Sequence, residues 1–211
     1  MKAYLIGGLA ADGRVFRHIR LPERYETVFL DWIIPEPGES LRSYALRMAE
    51  QMDQREEYVI VGVSFGGILA REISRRYPAR KTILIASVPH HGHLPKYYRW
   101  MHRAGMARLV PISLIKKAVM LNRYFTSETE EDRNIVRSMV RAADDRFIRW
   151  AILAALEWEA EDEVDCIHIH GSRDIVFPIR YTSPSHTIRS AGHLMVMENA
   201  ADINRILEEI L

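Results

Sequence analysis

Short apolar runs closed by turn residues recur along the chain. They are "AYLIGG" (3–8), "TVFLDW" (27–32), "YVIVGV" (58–63), "KTILIA" (81–86), "CIHIHG" (166–171) and "SHTIRS" (185–190). A strand covered on both faces has no polar side to present, so unbroken runs of this kind predict strands of a buried parallel sheet. Helical spacing fills the gaps between them. Leu41, Tyr44, Ala45, Met48 and Met52 fall on one helical face, with Ser40 placed to cap its start. After the third run, Ile68, Leu69, Glu72, Ile73 and Tyr77 continue a helix that Pro78 closes. A last helix over about 199–210 carries Ile203, Ile206, Leu207 and Ile210 on one side. Strands alternating with helices predict an α/β fold, a parallel sheet covered on both faces.

One stretch departs from the alternation. Between 94 and 163 no strand pattern occurs, and helical patterns follow one another, divided at first by Pro95, Gly105 and Pro111. A later helix has Ser127 or Thr129 as its cap. Some seventy residues is far more than a crossover needs, so the stretch reads as an insertion. The expected organisation is a core of 1–93 and 164–211 with a helical cap at 94–163.

Composition narrows the partners. With 211 residues the chain suits one domain that buries a real core, and its net charge of +1 suggests no global field for nucleic acid. Its single cysteine, Cys166, cannot form an internal disulfide and fits a reducing, cytoplasmic setting. No apolar run approaches the length of a membrane span. A small-molecule substrate is expected, without nucleic acid or stable membrane insertion; a homodimer is left open.

The third run leads into candidate chemistry. Gly62-Val63-Ser64-Phe65-Gly66 fits G-x-S-x-G between a strand and a helix. Reversing a strand sharply into a helix strains the serine, and small flanking residues let the chains pass. The hydroxyl then stands at a helix N-terminus, where N–H groups favour negative charge. A purely structural turn is the bland alternative. Further along, Asp174 lies in the turn after the "HIHG" strand, and His193 follows Gly192 after the next one. An aspartate that only forms a turn and a histidine in a surface loop are the plain readings of those two taken singly.

GVSFGG, HGSRDIVFP and AGHLMVMENA, with the strands that carry them, resemble the α/β-hydrolase family over about two-thirds of the chain. The order Ser…Asp…His is that family's. The resemblance implies Ser64 as nucleophile, His193 as general base and then acid, and Asp174 as the orienting carboxylate; Asp165 and Asp162 are the next candidates for the acid. It implies an oxyanion hole from the N–H of Phe65 and a second N–H, of Leu9 or Gly8, in the loop after the first strand. Relatives often have His-Gly there, where this chain has Gly7-Gly8. It implies six parallel strands in the order second, first, third, fourth, fifth, sixth, with the site over their carboxyl edge. The activity implied is a serine hydrolase cleaving a carboxylic ester through an acyl-enzyme, with no cofactor or metal. Thioesterase and amidase action share that machinery, and a non-catalytic ligand-binding protein on the same fold is the alternative of another class.

Two features stand beside this. "SVPHHGH" puts His90, His91 and His93 after the fourth strand; they lack metal-ligand spacing, and the three, His90 and His91 above all, read as lining the mouth of the site. His170 reads as a structural histidine of its turn. From Leu94 to Tyr124 there are seven Lys or Arg and no acid, interleaved with Tyr97, Tyr98, Trp100, Met101 and Met106. From Phe125 to Glu163 acids predominate. Either two helical layers set opposite charges against each other, or the aromatic residues, Trp100 above all, roof an acyl pocket. Pro111 and Gly105 interrupt any long amphipathic face, which argues against a helix lying in a membrane.

Overall fold

The computed structural model describes residues 1–121, 129–160 and 163–211. Its sheet consists of β1 (Lys2–Ile6), β2 (Glu26–Phe29), β3 (Tyr58–Val63), β4 (Lys81–Ile85), β5 (Ile167–Gly171) and β6 (His186–Ile188). All neighbours are parallel, in the order β2-β1-β3-β4-β5-β6 expected from the resemblance. β3 is central and fully buried. The pleat sorts its side chains between two cores: Tyr58 and Ile60 enter one, Val59, Val61 and Val63 the other.

The helices α1 (Leu41–Met48) and α2 (Phe65–Arg76) cover the first face through Tyr44, Ile68, Leu69 and Ile73. The second is covered by α8 (Met195–Glu198) and α9 (Ala200–Ile210), after the intervening elements given below, through Met195, Ile203 and Leu207. Ser40 caps α1 as expected, its hydroxyl accepting from the Ser43 N–H at 3.1 Å. α1 ends sooner than its apolar spacing suggests, giving way to a 3-10 turn over Ala49–Gln51.

Between β4 and β5 the elements described are all helical. After a 3-10 turn over His91–His93 come α3 (Lys96–Arg103), α4 (Met106–Leu109), α5 (Ile112–Leu121), α6 (Glu130–Ala142) and α7 (Asp145–Glu157). Thr129 caps α6, accepting from the Asp132 N–H; the alternative cap Ser127 lies outside the described residues, as does Asp162. α6 packs on the second core through Val136, Met139 and Val140, and α7 on the first through Phe147, Ala151 and Ala154.

Candidate active site

Ser64 sits between β3 and α2 with φ 53° and ψ −120°, in the left-handed half of backbone space that a residue with a Cβ avoids. The glycines around it explain how the turn closes. A Cβ on Gly62 would overlap the backbone of Gly66 and Gly67, and one on Gly66 would overlap the carbonyls of Ile6 and Gly7. β3 therefore hands over to α2 with backbone pressed on backbone, and the start of α2 lies against the end of β1. The Ser64 N–H donates to the Ile85 carbonyl at 3.0 Å, and its own carbonyl accepts from the buried Ser87 hydroxyl at 2.6 Å. Each bond ties the strained residue to the β4 end.

His193 Nε2 lies 2.9 Å from Ser64 Oγ, and its Nδ1 lies 2.8 Å from Asp174 Oδ2. The three residues expected from the sequence thus form one hydrogen-bonded line, although 129 positions separate the first from the last. Asp174 is buried, and its other oxygen accepts the N–H groups of Val176 and Phe177 at 2.8 and 2.9 Å. Burial works against its charge, but attraction to His193, the bond to that ring and the Phe177 N–H outweigh it and hold the carboxyl below its usual range. Such an array can lift a proton from a hydroxyl and hold the resulting imidazolium in place.

The loop after β1 approaches from the other side. A Cβ on Gly8 would stand 3.4 Å from that of Ser64, so Gly8 lies beside Ser64. The loop is held by the Ala11 N–H on the Gly8 carbonyl and by the Trp32 indole N–H on the Ala11 carbonyl. Phe65 opens α2, where a first-turn N–H has no partner within the helix. Backbone of the loop after β1 and the first turn of α2 therefore both lie next to Ser64.

Behind the carboxylate lies a pair the sequence reading treated only in part. His168 and His170, alternate residues of β5, face the same way with Nε2 of the first 3.1 Å from Nδ1 of the second. His170 Nε2 donates to the Phe177 carbonyl at 2.7 Å, which leaves its Nδ1 to accept from His168 while both rings are neutral. This brackets the turn that holds Asp174, so the structural role expected of His170 includes positioning Asp174. Burial pushes the His168 imidazole down to about 3, and burial likewise lowers His170. In an unfolded chain these rings take up protons near pH 6.5, whereas folded they stay neutral, so protons favour the unfolded state below that pH. Stability should be level above neutrality and fall as pH drops from 6.5 toward 3. Urea titrations at several pH values should show that fall flattened in His168→Gln. Asp174 loses its contribution only at lower pH, below its ordinary 3.8.

Three expected pocket residues are placed differently. Trp100 is 64% exposed on the outer side of α3 and roofs nothing, because the inner side is taken by Tyr98, whose hydroxyl donates to the Val176 carbonyl. His90 turns back on its own loop, Nδ1 accepting from the Gly92 N–H. His91 Nδ1 accepts from the Ala160 N–H, and the ring packs on Trp158 in a separate cleft shared with Arg99 and His102. Among the described residues, no cluster of His, Cys, Asp or Glu could hold a metal ion. An apolar cavity of about 540 Å³ is lined by Ala10, Ala11, Trp32, Ile33, Phe147 and Trp150, among others. Ser64 does not itself line it. Phe65 connects the two, its ring 5.9 Å from Trp32, 6.5 Å from Phe147 and 6.1 Å from Trp150. Phe147 and Trp150, three apart on α7, were legible as one helical face; their closeness to Phe65 was not.

Residues 4–206 match the sequence profile described as the Alpha/beta hydrolase family. Among curated proteins none matches the chain in sequence. Several solved structures are similar. An esterase from Thermogutta terrifontis, with malate bound, is 17% identical with a TM-score of 0.68, covering 99% of this chain and 88% of its own. The bromoperoxidase from Bacillus anthracis is 19% identical with a TM-score of 0.68, the shares being 98% and 90%. A hydrolase from Pseudomonas aeruginosa PA01 is 14% identical with a TM-score of 0.72, the shares being 97% and 87%. At these identities the likeness is one of fold.

Proposed function

The chain belongs to the alpha/beta hydrolase family, and from that premise we propose that it is a serine hydrolase cleaving a carboxylic ester through an acyl-enzyme. The observation that carries the reading is the unbroken line from Ser64 Oγ through His193 to Asp174, at 2.9 and 2.8 Å.

In this reading Ser64 Oγ attacks the acyl carbon while His193 Nε2 takes its proton. The charge that develops on the carbonyl oxygen is held by the N–H of Phe65 and one from Leu9 or Gly8. Collapse breaks the ester C–O bond, and His193 returns the proton to the departing alkoxide. Water, deprotonated by the same ring, then releases the acid and restores Ser64. Asp174 keeps Nδ1 protonated and steadies the imidazolium. A fluorophosphonate probe tests this directly: the folded protein should be labelled, and neither Ser64→Ala nor heated protein should be. An unlabelled folded protein would mark a ligand-binding relative instead. Ester, thioester and amide panels, run on labelling-competent protein, define the bond.

Residues 94–163 serve in this reading as the cap, and the acyl chain occupies the cavity between α7 and the loops after β1 and β2. Its aromatic walls suit an apolar, uncharged group. Trp150, pinned by its indole N–H on the Glu39 carbonyl, closes one side. Trp150→Ala should shift kcat/KM toward longer or bulkier acyl groups by about tenfold or more while a small ester changes little. Equal loss on every ester would remove the cavity from the reading. Trp100→Ala should alter neither.

A further inference from the structure

The segment expected to roof the pocket faces solvent instead, and its surface is unusual in two respects at once. α3, α4 and α5 all pack on α7, so their outer sides point away from the same support. Lys116 Nζ of α5 reaches the Ala143 carbonyl just ahead of α7, and Arg149 of α7 reaches the carbonyls of Arg108 and Val110 at the end of α4, which ties α4 and α5 to that support.

On α3 the exposed residues Lys96, Tyr97, Trp100 and Arg103 recur at helical spacing. Leu109 at the end of α4 is 80% exposed, and Leu114 on α5 is 57% exposed, one turn from the exposed Lys117. Large apolar tips therefore stand among cations. From 94 to 121 the sequence has six Lys or Arg and no Asp or Glu. Neighbouring acids answer some of these: Glu157 lies near Arg108 and His102, and Asp145 near Lys116. Lys96, Arg103 and Lys117 have no ion-pair partner among the described residues.

We propose that the outer face of α3, α4 and α5 docks on an anionic lipid surface, its cations on the headgroup phosphates and its Trp and Leu tips in the headgroup–acyl boundary. The mixture of charge and apolar reach selects this occupant. Cations alone would suit any polyanion, but Leu109, Trp100 and Leu114 gain only where an apolar phase lies under the charged layer. A second copy of the chain is disfavoured, because a two-fold contact would set the cationic face against itself. The breaks at Gly105 and Pro111 exclude one long amphipathic helix, not a face assembled from three short ones on α7. The contact is peripheral, since among the described residues no helix is long and apolar enough to cross a membrane. Docking would set the catalytic edge near the lipid, for Tyr98 of α3 bonds the Val176 carbonyl, two residues from Asp174.

Co-sedimentation of the full chain with vesicles tests this independently of catalysis. Phosphatidylcholine–phosphatidylglycerol vesicles should bind it at least about tenfold more tightly than phosphatidylcholine alone, as several surface cations require. The pair Lys96→Glu and Lys117→Glu should abolish that preference. The pair Leu109→Ser and Leu114→Ser should remove the binding that survives raised salt, which screens only the charges. Both variants should keep the parent's thermal midpoint and its rate on a water-soluble short ester. No binding, equal binding to neutral vesicles, or anionic binding untouched by either pair overturns the proposal. So does heparin binding as tight as vesicle binding and indifferent to the leucine changes, which would mark a polyanion site. If the parent had no esterase activity but bound as described, the reading of Ser64 would fall and the docking face would stand.

Discussion

Ser64→Ala is expected to lower ester turnover by several orders of magnitude, on the order of 10⁴–10⁶, and adding His193→Ala should cost almost nothing more. The geometry gives the reason. His193 Nε2 meets Ser64 Oγ at 2.9 Å, so the two act in one proton transfer and either loss removes all of it. Asp174→Asn should cost on the order of 10⁴ while leaving the ring in place. An amide can keep the bonds from Val176 and Phe177 on its oxygen, yet its NH₂ then faces Nδ1 and favours the tautomer with Nε2 protonated. That tautomer cannot accept from Ser64. Single-turnover rates on a chromogenic ester measure the step, and equal thermal midpoints keep stability out of the comparison. Additive losses in the Ser64/His193 double variant, or near-full activity in Asp174→Asn, would mean that the line of three is not the reacting unit.

How much of this was legible follows from what each signal encodes. A parallel strand buried on both faces must be apolar throughout, so six strands and their order could be read, the latter by way of the resemblance. The elbow was legible because only glycine lets Gly62 and Gly66 lie against neighbouring backbone. Short helices carried less. In eight residues of α3, Tyr97, Tyr98 and Trp100 occupy both sides, and nothing local says that Tyr98 will bond Val176 and so turn Trp100 outward. His90 and His91 lie after β4, as read, but the direction of their side chains is set by the Gly92 turn and by Ala160, far along the chain. Ser87, which holds the carbonyl of the strained Ser64, has no sequence signature at all. His168 had one that went unused: alternate residues of a strand share a face, so "HIH" already placed it beside His170.

Glu72→Gln is expected to destabilise the fold by about 3–5 kcal/mol, more than most single changes to the core. Glu72 and Arg71 are adjacent on α2 and both almost wholly buried, an arrangement no surface helix needs. Glu72 Oε1 accepts from Arg71 Nη1 and, at 2.9 Å, from the Trp158 indole N–H. Oε2 lies 3.6 Å from Arg42 Nε and 3.5 Å from Arg75 Nε. Arg42 and Arg75 are partly exposed and can turn to water, but Arg71 cannot. Its Nε and Nη2 already lack hydrogen-bond partners among the described residues, so loss of the carboxylate strands a buried charge whose remaining neighbour is the Trp158 ring. The cost is therefore that of an uncompensated ion, and it should vanish when the ion goes too. Arg71→Met with Glu72→Leu should recover most of the stability, since two apolar side chains of similar size need no partners. Denaturant midpoints with unchanged slopes measure both effects. The rate per folded molecule should stay near the parent's, because eight residues of helix put Glu72 about 12 Å from Ser64. A single variant that costs less than about 1 kcal/mol would show that Arg71 finds water, and the buried-charge account of this joint between α2 and Trp158 would fail.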